Sequence, residues 1–145
     1  MVSALVLYFS WSKNGTTRQA AKAYAKEHDA ALCEVEYAKK PSTFSAFLMG
    51  CPAAMGGKPA DIKPIGAALG AYDRLVLMAP VWASNPAPPF NSMLELLPSG
   101  KEVEVVLTSG SGSSSEKAKE RIRERVKDKG CSLVSIRDLK GEAGD

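Results

Sequence analysis

Three short segments of this 145-residue chain carry the residue types that hold a phosphorylated aromatic ring. They are Ser10-Trp11-Ser12-Lys13-Asn14-Gly15-Thr16-Thr17, then Pro80-Val81-Trp82-Ala83-Ser84-Asn85, then Thr108-Ser109-Gly110-Ser111-Gly112-Ser113. Hydroxyls and the backbone N–H groups of a helix start complement the charge of a phosphate. A tryptophan supplies a flat apolar wall, and glycines let backbone approach a ring closely. Each segment follows an apolar run. Parallel strands all end at one edge of their sheet, so the three segments are expected to line a single crevice there.

Each segment also has a plainer reading. Serine, threonine and glycine after a strand often do no more than start the next helix. Trp82 reads either as a wall for the ring or as a core anchor, and Trp11 either as a shield for the ligand or as a cover for the helix start. His28, the sole histidine, falls at the end of a helical stretch and reads as a helix-end residue, not a catalytic one.

The elements that must position these segments are legible in the apolar pattern. The runs 4–9, 75–79 and 103–107 are continuous, as in central parallel strands buried on both faces. The stretches 31–36 and 133–136 are weaker and more peripheral. Between them, Thr17, Ala20, Ala21 and Tyr24 form one helical stripe, and Phe90, Met93, Leu94 and Leu97 another. Pro88 and Pro89 suit a first helical turn. Ser113 and Glu116 have capping-box spacing, Ala118, Ile122 and Val126 share a face, and Gly130 supplies a stop. The alternation predicts one α/β domain over residues 1–145, a doubly wound parallel sheet with helices on both faces. Residues 38–72 are the least regular: a short helix around Phe44, Phe47, Leu48 and Met49, a loop over 52–64, and a further turn at 65–69.

Composition narrows the classes. With 45% apolar and 24% charged residues, the chain has the make-up of a globular domain. No run approaches the ~20 apolar residues of a membrane span, and the N-terminus lacks a secretory pattern, so no membrane role and a cytoplasmic location are expected. Cys33, Cys51 and Cys131 are widely spaced and read as reduced structural thiols. The net charge of +3 is small. The basic residues of 117–129 are interleaved with acids, and no basic groove with aromatic platforms suggests nucleic acid.

These segments carry a likeness. The chain resembles the flavodoxin-like proteins, especially small bacterial single-domain flavodoxins, over residues 3 to 137. The likeness rests on Leu7-Tyr8-Phe9-Ser10-Trp11-Ser12 with Gly15-Thr16-Thr17-Arg18, on the stretch from Phe47-Leu48-Met49-Gly50 to Gly57-Lys58-Pro59, and on Tyr72-Asp73 leading into Ala79-Pro80-Val81-Trp82-Ala83. Pro86-Ala87-Pro88-Pro89 and Leu107-Thr108-Ser109-Gly110-Ser111-Gly112 complete it. The resemblance implies a five-stranded sheet of order 2-1-3-4-5 with FMN at its carboxyl edge. Ser10, Ser12, Asn14, Gly15, Thr16 and Thr17, with the charge of Lys13, would wrap the FMN phosphate. Pro80, Val81 and Trp82 would lie beside the isoalloxazine, and Ser109, Gly110, Ser111 and Gly112 near its pyrimidine edge.

Three departures from the family pattern shape the expected function. Lys13 and Asn14 intervene between Ser12 and Gly15 in the phosphate segment. The polar residues 137–145 are too few for the usual closing helix and suit at most one helical turn, so an apolar sheet face is expected to be left bare and to favour a homodimer. The slightly basic charge differs from the acidic surface of flavodoxins that steer to basic partners. The leading expectation is an FMN-binding electron carrier with an unidentified redox protein as partner and no catalytic side chain. The alternatives are an FMN-dependent NAD(P)H oxidoreductase acting on a quinone-type acceptor, and a flavin-free binding or regulatory module on the same fold.

Overall fold

The computed structural model describes residues 3–12, 15–110 and 113–140, with the Phe47 side chain outside the description. In chain order the elements are β1 (Ala4–Tyr8), α1 (Thr16–His28), β2 (Ala31–Glu34), α2 (Thr43–Ser45), a π-helical turn (Ala46–Gly50), α3 (Cys51–Met55) and a 3-10 turn (Leu69–Ala71). There follow β3 (Arg74–Trp82), β4 (Asn85–Pro86), α4 (Pro88–Glu95), β5 (Glu102–Ser109), α5 (Glu116–Asp128) and β6 (Ser132–Lys140). The sheet runs β2-β1-β3-β5-β6, all neighbours parallel, and β4 folds back antiparallel on the end of β3. With β4 set aside, this is the flavodoxin-like 2-1-3-4-5 order.

The continuous apolar runs are buried because both faces of the sheet are covered. Successive side chains alternate between faces. Leu5, Leu7, Leu75, Leu77, Val103, Val105 and Leu107 meet Phe90, Met93 and Leu94 of α4 and Ile122 and Val126 of α5. Val6, Tyr8, Val76, Met78 and Val106 point the other way, toward Ala21 and Tyr24 of α1.

The irregular stretch between β2 and β3 is held on the α4 and α5 side by polar contacts. Ser92 donates to Ala60 O at 2.6 Å and accepts from its N–H at 2.9 Å. Asn91 donates to Lys58 O at 3.1 Å, and Arg125 donates to Gly57 O at 2.8 Å. Asn91 and Ser92 are buried for this reason: they satisfy backbone that no strand or helix pairs. Past β2, Ala38 N–H reaches Asp61 O and Lys63 N–H reaches Glu36 O, both at 2.9 Å.

Several local expectations change. The segment 137–140 continues β6 as strand and forms no helical turn; Arg137 to Lys140 pair in register with Val106 to Ser109. The N-cap of α5 is Ser115, whose side chain accepts from Ala118 N–H at 3.1 Å, not Ser113. The further turn expected at 65–69 is a 3-10 turn at Leu69–Ala71. Among the described residues no helix follows β6, and the surface beside α1 is a groove of about 270 Å³. Glu27 and Arg137 line it together with Met78, Val106 and Leu139, and Tyr24 donates its hydroxyl to Glu104 at 2.9 Å. The face is thus of mixed polarity, and its drive to be buried against a second copy is weaker than an apolar face would have.

Ile122, 2% exposed, fills the space between α5 and the sheet. Ile122→Ala is expected to lower unfolding stability by about 2–5 kcal/mol. Urea denaturation measures this, and FMN affinity of the folded fraction is expected to stay unchanged.

Candidate functional site

The three segments converge because their strands end together. Phe9 N–H donates to Met78 O at 3.0 Å, and Pro80 is the register partner of Thr108. Thr17, in the first turn of α1, shares a 2.6 Å hydroxyl–hydroxyl hydrogen bond with Thr108. Both are buried, at 0% and 1% exposure. One buried bond therefore joins the first segment to the third.

The first segment has the donor set a phosphate needs. The N-cap of α1 is Gly15, which lends no side chain to the first-turn amides, and that turn holds no acidic residue. A helix start without an acidic side chain favours an anion through its dipole. Ser10 Oγ donates to Ser12 O at 2.8 Å, and Gly15 N–H donates to the same carbonyl at 3.3 Å. Lys13 and Asn14 lie outside the described residues.

Pro80, Val81 and Trp82 were expected to follow the strand run 75–79; they form the last residues of β3. The strand turns back through Ala83 and Ser84, with φ of 52° and 64°, into β4. Consecutive left-handed residues are what a two-residue hairpin of right-handed twist requires. Without glycine they are strained. Contacts hold them: Asn85 Nδ2 donates to Ala83 O at 2.7 Å, and Ser115 N–H to Ser84 O at 2.8 Å. The wall beside the crevice is therefore a fixed hairpin.

Trp82 and Trp11 belong to one aromatic cluster. Their rings meet edge to face with centroids 5.7 Å apart; Phe9 lies 6.1 Å from Trp82 and 5.3 Å from Tyr37. Both tryptophans remain partly exposed, so neither is solely a core anchor. Lys40 donates to Trp11 O at 2.7 Å and sits 4.5 Å from its ring centroid. Gly50 allows Trp82 its position: a Cβ there would lie 2.9 Å from Trp82 Cζ3.

In the third segment Ser109 closes β5 and Gly110 follows; Ser111 and Gly112 lie outside the described residues. The segment is fastened at its far end by three residues that sequence reasoning missed, Ser114, Lys119 and Asp138. Ser114 donates to Asp138 Oδ1 from its hydroxyl at 2.8 Å and from its N–H at 3.1 Å, and Lys119 pairs with Asp138 at 3.0 Å. Burial alone would raise the Asp138 carboxyl, but these donors outweigh it and hold its pKa below the usual value. The only signal in the sequence was an aspartate in an otherwise terminal stretch, and its partner was invisible until β6 proved long.

A groove of about 370 Å³ runs along the first segment past Ser10, Trp11, Ser12, Arg18, Tyr37 and Lys40. Neither Trp82 nor Ser109 lines it, so it is the β2-side shoulder of the first segment, not the place where all three meet. Arg18 there pairs with Glu34 at 2.5 Å and reaches the Tyr8 hydroxyl at 3.2 Å. His28 ends α1, its ring 4.1 Å from that of Tyr24, away from the crevice. Burial raises the Cys33 thiol, which suits a structural thiol. Among the described residues no His, Cys, Asp or Glu group could hold a metal, and no helix is long and apolar enough to cross a membrane.

Two measurements test this geometry. Gly50 has helical φ and ψ, so Gly50→Ala is favourable for the backbone and acts only by displacing Trp82. A changed near-ultraviolet circular dichroism spectrum is expected, with FMN affinity lowered by about tenfold, an effect of about 1.4 kcal/mol. Burial pushes Tyr37 up to about 12 from 10.0. The folded state holds the neutral phenol, so its stability contribution is intact below pH 10 and is lost as pH rises toward 12. Ultraviolet titration is expected to show a late tyrosine that Tyr37→Phe removes.

Residues 2–127 match the family described as NADPH-dependent FMN reductase. None of the curated proteins matches the chain. A flavoprotein of Lactobacillus acidophilus NCFM, solved in complex with FMN, is 22% identical with a TM-score of 0.77, over 95% of this chain and 93% of that one. A protein of Bacteroides uniformis ATCC 8492, provisionally named a flavoprotein, is 26% identical with a TM-score of 0.74, over 97% of this chain and 93% of that one. An NADPH-quinone reductase of P. pentosaceus, 9% identical, shares the fold with a TM-score of 0.60, over 97% of this chain and 85% of that one. The chain is a flavodoxin-like protein and belongs to the NADPH-dependent FMN reductase family, whose flavin is FMN.

Proposed function

We propose that the protein is an FMN-dependent oxidoreductase that takes hydride from NAD(P)H and reduces a quinone-type acceptor. The family match over residues 2–127 carries this reading and favours it over the electron carrier that the sequence put first. The charge supports it: a chain of net charge +3 lacks the acidic field by which carriers find basic partners.

FMN supplies the chemistry, accepting a hydride and passing electrons on singly or in pairs. The chain's own residues bind and orient it. Ser10, Ser12, Gly15, Thr16 and Thr17, with Lys13 and Asn14, take the phosphate; the first-turn amides of α1 face it, and the Thr17–Thr108 bond sets their height over the sheet. Pro80, Val81 and Trp82 form one wall, fixed by the β3–β4 hairpin. Ser109, Gly110, Ser111 and Gly112 offer backbone amides to the polar edge of the ring. No side chain is assigned a role as nucleophile or general base.

Titrating FMN into the protein, with riboflavin as control, tests the binding half. Strong quenching with FMN and little with riboflavin is expected. Thr16→Ala, which removes one hydroxyl from a charged acceptor, is expected to weaken FMN by about tenfold and to leave riboflavin unchanged. Steady-state oxidation of NADPH and NADH by the FMN-loaded protein, with quinone acceptors, tests the reaction. FMN binding without turnover on any acceptor would return the protein to the carrier reading.

A further inference from the structure

The helical stretch 43–55 is amphipathic in reverse. Among the described side chains, Ala46, Gly50 and Ala54, four residues apart, are its buried positions, and Gly50 lies against Trp82. Four large side chains point outward: Phe44 is 71% exposed, Leu48 52%, Met49 73% and Met55 58%. Pro52, which has no N–H for the α-helical ladder, follows the π-helical turn Ala46–Gly50. A groove of about 200 Å³ between Pro41, Ala46, Met49, Ala53 and Pro88 extends the apolar surface inward. Exposed apolar side chains gathered on one element mark an interaction surface.

Charge decides among the occupants. Residues 41–57 contain no charged side chain at all. Around them, between Ala38 and Lys63, stand Lys39, Lys40, Lys58 and Lys63 against one acid, Asp61. That excess of three equals the net charge of the whole chain, +3. Lys63 faces Glu36 at 3.9 Å and Lys40 is engaged with Trp11, while Lys39 and Lys58 are exposed at the two ends of the uncharged stretch. A second copy docked symmetrically on this face would set lysines against lysines. A surface combining apolar depth with negative charge fits both features.

We propose that residues 43–55 dock the protein on an anionic lipid surface, with Phe44, Leu48, Met49 and Met55 entering the headgroup boundary and Lys39 and Lys58 at the phosphates. Exposed apolar side chains flanked by lysines combine the two attractions that hold a protein at an anionic interface, apolar burial and charge. The inference does not depend on the acceptor assigned above. Because Gly50 backs onto Trp82, docking would hold the aromatic side of the crevice near the lipid.

Flotation of the full-length protein with phosphatidylcholine vesicles, with and without phosphatidylglycerol, tests the proposal. Binding is expected only with phosphatidylglycerol and is expected to weaken as salt rises. Phe44→Ser with Met49→Ser is expected to abolish it; both side chains are exposed, so the fold is expected to persist, with circular dichroism as the check. Lys39→Gln with Lys58→Gln is expected to lower the partition by about 25-fold, about fivefold for each lysine. No binding to anionic vesicles, or equal binding to neutral ones, would overturn the proposal. Self-association in the ultracentrifuge that the Phe44 and Met49 substitutions abolish, without vesicle binding, would assign the face to a second copy instead.

Discussion

The hydrogen bond between the Thr17 and Thr108 hydroxyls is the constraint on which the crevice depends. It joins the first turn of α1 to the end of β5, across β3, which lies between β1 and β5. A buried hydroxyl left alone costs about 1–3 kcal/mol, and this bond contributes to sparing both threonines that cost. The pair also fixes how far the amide-bearing end of α1 stands from the ends of β3 and β5. On the proposed reading, the phosphate and the ring of FMN would be positioned by the same contact.

Around that bond the fold spends stability on rigidity. Ala83 and Ser84 adopt left-handed backbone that glycine would adopt at less cost. Their strain persists because the hairpin, the Asn85 side chain and the Ser115 N–H all hold it. Strain of this kind gathers at functional sites, and here it lies beside Trp82. The Asp138 carboxylate fastens the other rim through Ser114 and Lys119. The two rims are connected: Ser115, bound to Ser84 O, is also the N-cap of α5, one residue beyond Ser114.

Much of this was legible because it is local or periodic. The central strands announced themselves as unbroken apolar runs, and α4 by two prolines and four apolar residues on one face. The convergence of the three segments followed from parallel strands sharing an edge. What was not legible depended on distant partners. That Pro80 to Trp82 are strand depends on a two-residue turn without glycine, which turn chemistry disfavours. That 137–140 is strand depends on pairing with β5, which rewards a polar sequence for its backbone alone. The role of Asp138 follows from that pairing.

The stretch 43–55 shows how a motif can be recognised and its use missed. Phe44, Phe47, Leu48 and Met49 predict a short helix, and the usual inference from such residues is a buried face. The helix is present, yet its face is inverted, because Trp82 occupies the space a larger inward side chain would need. A glycine fits there, and Ala46 and Ala54 are buried on the same side. Phe44, Leu48, Met49 and Met55 are left outside. The close fit that makes Trp82 a firm wall for the crevice also produces the exposed apolar surface beside it.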